Sequence, residues 1–131
     1  GWQAEEVDTA LAAVRCPRFD LALAGVGTFE KAGRIQSLHV TAERSDALTR
    51  LQNKVETAMQ RIGLEPERRR FAPHVTLART DRAETHKLIG FVQAHSLFRT
   101  PPVTVEHFTL FSSFLGKEAA HYVPEVEYEL A

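Results

Sequence analysis

The chain is expected to adopt an α+β fold, with a mixed or antiparallel sheet and flanking helices, on three observations. Segments of helical period and segments of alternating period interleave irregularly: helix, two strands, helix, strand, helix, two strands. Several of the strands follow one another too closely for a helical crossover, so they must be joined as antiparallel neighbours. No linker, low-complexity stretch or charge block divides the 131 residues. A single domain over 1–131 is therefore expected, of a length that can bury its own core.

The elements follow in order. Residues 3–14 carry Val7, Leu11 and Val14 at helical spacing, with acids in the first turn, and Cys16-Pro17 then ends the helix. Phe19, Leu21 and Leu23 alternate with smaller or polar residues, which predicts a strand closed by Gly25-Val26-Gly27. Gly33 introduces a second strand, Arg34 to Ala42. The strongest helix starts at Ser45, a good N-cap, and aligns Leu48, Leu51, Val55, Met59 and Ile62 in one stripe before Gly63, a C-terminal cap. A charged loop, 64–70, leads to a strand from Phe71 to Arg79 in which Val75 and Leu77 face the core. A weaker helix over 83–95 contains Gly90. After Pro101-Pro102 come two final strands, 103–111 and 121–130, and Pro124 marks the last as a sheet edge or a bulge.

Charge and composition exclude several classes. Sixteen Lys+Arg against 17 Asp+Glu leave a formal charge of −1, so the broad basic surface of a duplex-DNA binder is not expected. No apolar run approaches the roughly 18 residues of a membrane span. One cysteine, Cys16, cannot form an internal disulfide; with no signal-peptide pattern, a cytoplasmic protein is expected. Cys16 reads as a buried structural thiol. No Cys-x-x-Cys or His-x-x-x-His pair exists, so a zinc site is not expected, and no cofactor is expected either. The chain opens on Gly1-Trp2, and its only Met is Met59.

Chemistry is suggested by a repeat. His39-Val40-Thr41 and His74-Val75-Thr76 each lie in a predicted strand, where residues i and i+2 share a face. An imidazole exchanges protons near neutral pH, and a neighbouring hydroxyl holds a phosphate oxygen. Two such pairs facing each other would supply an acid, a base and two phosphate clamps, enough for metal-independent acid–base work on a phosphodiester. Six His and 11 Thr give about 0.5 His-x-Thr triplets by chance, so the repeat alone decides nothing. Arg68, Arg69 and Arg70 form either a solvated loop or a contact for RNA phosphates. His107 and His121 read as surface or core histidines rather than groups at a cleft, and Phe108, Phe111 and Phe114 as core rather than a base-stacking platform.

The context of the second motif is more specific. Gly63 to Arg79, GLEPERRRFAPHVTLAR, resembles the second-motif region of the two-histidine phosphoesterase superfamily, in its LigT/ThpR-like branch of RNA 2′,3′-cyclic phosphodiesterases, also called 2′-5′ RNA ligases. FDLALAGVGTF, the helix SDALTRLQNKVETAMQRIGLEPE and the segment VEHFTLFSSFLGKEAAHY are similar to that family in the same order. The resemblance implies a pseudo-symmetric, two-lobed fold and hydrolysis of a 2′,3′-cyclic phosphate on an RNA end or nucleotide to a 2′-phosphate. It also implies His74 as a catalytic residue, with Thr76 and Arg79 on the phosphate, and no metal; hydropathy and charge leave no membrane and no duplex DNA as partners. The alternative is a non-catalytic module, or an inactive truncated piece of the family, that binds RNA ends or nucleotides.

In the family the first motif precedes the segment resembling residues 3–27. The expected fold is therefore incomplete at its amino terminus, lacking the first-motif strand. His39 and Thr41 fall instead where relatives carry a Trp-x-Gly-like sequence. Two readings stay open: a relocated catalytic histidine with its phosphate-binding threonine, or a strand pair with no part in catalysis. Arg79 is ambiguous too, since strict alternation puts it on the face opposite His74. An exposed sheet edge left by a missing strand could pair with another chain.

Overall fold

A computed structural model describes residues 2–80, 83–115 and 120–131, with the backbone alone at Trp2, Phe114, Leu115 and Ala120. The expected core role of the Phe114 side chain, the connection of the closing hairpin and Gly1 lie outside the described residues. Ten elements follow one another: α1 (Trp2–Ala12), β1 (Phe19–Leu21), β2 (Leu23–Lys31), β3 (Arg34–Ala42), α2 (Asp46–Arg61), β4 (His74–Arg79), α3 (Thr85–Ala94), β5 (Val103–Val105), β6 (His107–Leu115) and β7 (Ala120–Glu129). The ladders β2–β3, β3–β4 and β6–β7 are antiparallel, which makes this the expected α+β class. No described helix is long and apolar enough to cross a membrane.

The chain divides into two compact units, one of residues 1–19, 46–68 and 104–131, the other of 20–45 and 69–103. In the first, Cys16, Leu51 and Leu130 are buried together, with Val14, Phe19, Val55, Val105 and Phe108 packed around them. The α2 stripe supplies Leu51 and Val55, as its spacing predicts. Leu130 is fixed from both sides by backbone bonds: its N–H donates to Glu106 O at 2.8 Å, and that of Ala131 donates to Cys16 O at 3.1 Å. Burying a leucine of this kind contributes about 1.5–3 kcal/mol. Tyr128 stacks on Phe108 with centroids 5.0 Å apart and donates its hydroxyl to Asp8 at 2.7 Å. Burial and that bond push the phenol up to about 12. Gly63, at φ +96°, ends α2. Its N–H reaches Gln60 O at 3.0 Å and that of Leu64 reaches Met59 O at 3.1 Å, the paired bonds of a Schellman cap.

The second unit is a three-stranded sheet in the order β2-β3-β4, with α3 against one face through Leu88 and Val92 on Ile35 and Leu38. Lys31 pairs with Arg34 across a two-residue turn. The turn residues, Ala32 (φ 53°) and Gly33 (φ 75°), have the positive φ values of a type I′ hairpin.

Several boundaries differ from the sequence reading. Gly25 and Gly27 do not close a strand, because β2 runs on to Lys31. Its register advances from Leu23↔Ala42 to Val26↔Val40, and Gly25 at φ +80° absorbs the extra residue as a bulge. The strand expected from Phe71 starts at His74, and that expected over 103–111 breaks at Glu106 into β5 and β6. Val75 and Leu77 are half exposed rather than core. They lie on β4, the edge strand, and α3 packs on β3 and β2 instead. Phe111 is exposed too. It pairs with Pro124, so period 2 places it on the side of the hairpin opposite Phe108. The register there passes from Leu110↔Val126 to Phe111↔Pro124, a bulge at Glu125 beside the proline.

Candidate active site on the three-stranded sheet

The two His-x-Thr segments are hydrogen-bonded neighbours. In the β3–β4 ladder His39 lies opposite Thr76, Val40 opposite Val75 and Thr41 opposite His74. Cross-strand partners share a face, so both histidines and both threonines emerge on one side of the sheet, and the valines on the other. The imidazole rings stand 5.2 Å apart between centroids, inclined at 57°. The sequence repeat is thus a spatial constellation within one unit.

Arg79 joins the same face, contrary to strict alternation. The register skips Leu77, passing from His39↔Thr76 to Leu38↔Ala78 and Ser37↔Arg79. Ser37 is two residues from His39 on an uninterrupted stretch of β3, so the bulge at Leu77 turns Arg79 onto the histidine side. His74, Thr76, Thr41 and Arg79 are all exposed there.

His39 is the exception, with 8% of its surface accessible. Phe29 covers it, its ring 4.4 Å from that of His39 and 4.6 Å from that of His74, the latter edge-on. Beneath lies Gly27, the residue opposite His39 on β2. A Cβ there would sit 2.7 Å from His39 Nε2 and 3.0 Å from Cε1, so the imidazole occupies space that only glycine leaves. Burial first, and His74 second, hold the His39 pKa below its ordinary 6.5. Its Nδ1 is buried with no hydrogen-bond partner in the structure, a cost that is smallest when that nitrogen carries no proton. The ring of His74 is oriented by its own strand end: Nδ1 lies 2.5 Å from the Ala72 carbonyl oxygen. Nδ1 is therefore the donor there, since a carbonyl oxygen can only accept.

The remaining expectations separate. Arg68, Arg69 and Arg70 are exposed in the loop before β4, and His107 and His121 are exposed on the β6–β7 hairpin. Cys16 is buried as a free thiol. Gly27 and Phe29 were missed from sequence, because the glycines read as the end of a strand. Their i, i+2 spacing is the signal that would have placed them on one face.

A family profile described as LigT-like phosphoesterase matches residues 38–122, a span that contains both histidines, both threonines and Arg79. The chain belongs to that family. It is 30% identical to an RNA 2′,3′-cyclic phosphodiesterase of Aeropyrum pernix over 121 residues, covering 91% of this chain and 69% of the relative. A second enzyme of that name, from Geobacillus stearothermophilus, is 33% identical over 104 residues, covering 76% of this chain and 33% of the relative. The LigT-like fold recurs in solved structures. E. coli LigT complexed with 3′-AMP superposes with a TM-score of 0.70 at 22% identity, over 99% of this chain and 70% of that one. A Thermus thermophilus protein gives 0.73 at 20% identity, over 98% and 71%. Cyclic phosphodiesterase is thus the enzyme class of the family's curated members, as the resemblance implied.

Proposed function

We propose that this chain hydrolyses a 2′,3′-cyclic phosphate at an RNA end or on a nucleotide to a 2′-phosphate, using His74 and His39 as an acid–base pair. The observation that carries this is the β3–β4 register, which sets the two His-x-Thr segments opposite each other on one face. The curated relatives' activity and the nucleotide bound to E. coli LigT support the substrate class.

In this reading the threonine hydroxyls and the Arg79 guanidinium hold the non-bridging phosphate oxygens. A water oxygen bonds to phosphorus while the bond from phosphorus to O3′ breaks. His39, kept neutral by burial and by its neighbour, takes the water's proton. His74, exposed on the same face, delivers a proton to O3′. A pair sharing one proton is what such a displacement requires, since one ring must be empty and the other loaded.

The burial of His39 favours a second reading, in which the site binds an RNA end without turning it over and His39 only supports His74. Purified chain, offered a 2′,3′-cyclic mononucleotide and a cyclic-phosphate-terminated RNA, separates the two. Turnover to a 2′-phosphate, lowered by about 10²–10⁴-fold in His74→Ala, supports the enzyme; binding without product supports the second reading.

A further inference from the structure

We propose that the β6–β7 hairpin carries a surface site for a divalent transition-metal ion of the zinc class, formed by His107, Glu127 and Glu129. His107 pairs directly with Glu129, and Glu127 lies two residues back on β7, so all three project from one face of the ladder. Their ligand atoms all lie within 4.8 Å of one another, with His107 Nε2 3.5 Å from Glu127 Oε1. Ligand distances of about 2.0–2.2 Å set neighbouring donor atoms roughly 3–3.5 Å apart, so small rotations of exposed side chains would close the set around one ion. The triad is separate from the candidate active site, which lies in the other unit.

The donor set indicates the class of ion. An imidazole with two carboxylates suits zinc and its first-row neighbours, whereas calcium and magnesium prefer oxygen throughout. Two carboxylates on one face of a strand also repel each other. Arg18 lies against one of them, its guanidinium 3.7 Å from Glu129 and 3.4 Å from Glu106. It neutralises Glu129 only in part, leaving a dication a favourable place between Glu127, Glu129 and the ring. Because the three ligands are 20 and 2 residues apart in sequence, no short spacing motif announces them; the ladder brings them together.

Calorimetric titration with Zn²⁺ tests this, using the intact chain with His74→Ala as background so that the exposed sheet histidine does not contribute. One ion per chain is expected, with affinity falling at least about 10-fold in His107→Ala and in the isosteric Glu127→Gln and Glu129→Gln. Zn²⁺ should also raise the unfolding temperature of the background protein and leave that of His107→Ala unchanged. Affinity unchanged from the background protein in all three hairpin variants, or no binding in the background protein, would overturn the proposal. Circular dichroism of Glu127→Gln, which alters no packing volume, distinguishes ligand loss from unfolding.

Discussion

Replacing Gly27 by alanine perturbs the candidate site without substituting any group that could exchange a proton. The new Cβ would lie 2.7 Å from His39 Nε2, against an ordinary contact of about 3.4 Å. The ring must therefore yield by about 0.7 Å, or β2 must draw back from β3. Yielding is resisted by the neighbouring rings, since that of Phe29 lies 4.4 Å away and that of His74 5.2 Å away. Overpacking of this sort costs about 1–3 kcal/mol of stability, and a shift approaching 1 Å at a catalytic group lowers rate by up to about 10²-fold. The assay is turnover of a 2′,3′-cyclic mononucleotide, paired with thermal unfolding. Gly27→Ala should lower kcat by about 10–100-fold with KM little changed. In a His39→Ala background the same substitution should cost nothing further, because the ring it displaces is gone. Full activity in Gly27→Ala, or an equal loss in both backgrounds, would refute the reasoning.

Two further predictions concern stability. His39 has a folded pKa below its unfolded value of 6.5, so the unfolded chain binds the extra proton as pH falls. Its contribution is complete above pH 6.5 and is lost as pH drops through the folded pKa. Denaturant unfolding from pH 8 downward should show this decline in the wild type and a shallower one in His39→Gln. Ala32 holds φ 53° in the β2–β3 turn, a left-handed conformation that asparagine tolerates better than alanine. Ala32→Asn should raise stability by about 0.5–1 kcal/mol in the same measurement, and a loss of stability would mean the turn is not of the I′ type.

Much of the fold is legible in the sequence because single residues carry unambiguous signals. The apolar stripe of α2 and Gly63 behind it mark a helix and its cap, and β3 runs over the expected residues, Arg34–Ala42. Period 2 likewise placed each His with its Thr. What sequence could not convey was pairing. Register between strands far apart in the chain puts His39 opposite Thr76, and no local pattern contains it. Bulges are equally silent. The extra residue at Leu77 reverses the face of Arg79, and Gly25, read as punctuation, instead lets β2 bend and continue. The sequence alternation of Val75 and Leu77 was correct as a strand signal. It misled on burial because it does not say which strand α3 covers.

The central claim is that His39 and His74 act as one unit across the β3–β4 ladder. A kinetic cycle on a 2′,3′-cyclic phosphate tests it most directly, comparing His39→Ala, His74→Ala and the double variant. Groups that act together lose their function together, so each single substitution should lower turnover by about 10²–10⁴-fold and the double should be little worse than either. Unchanged turnover in His39→Ala, or losses that multiply in the double variant, would contradict the account.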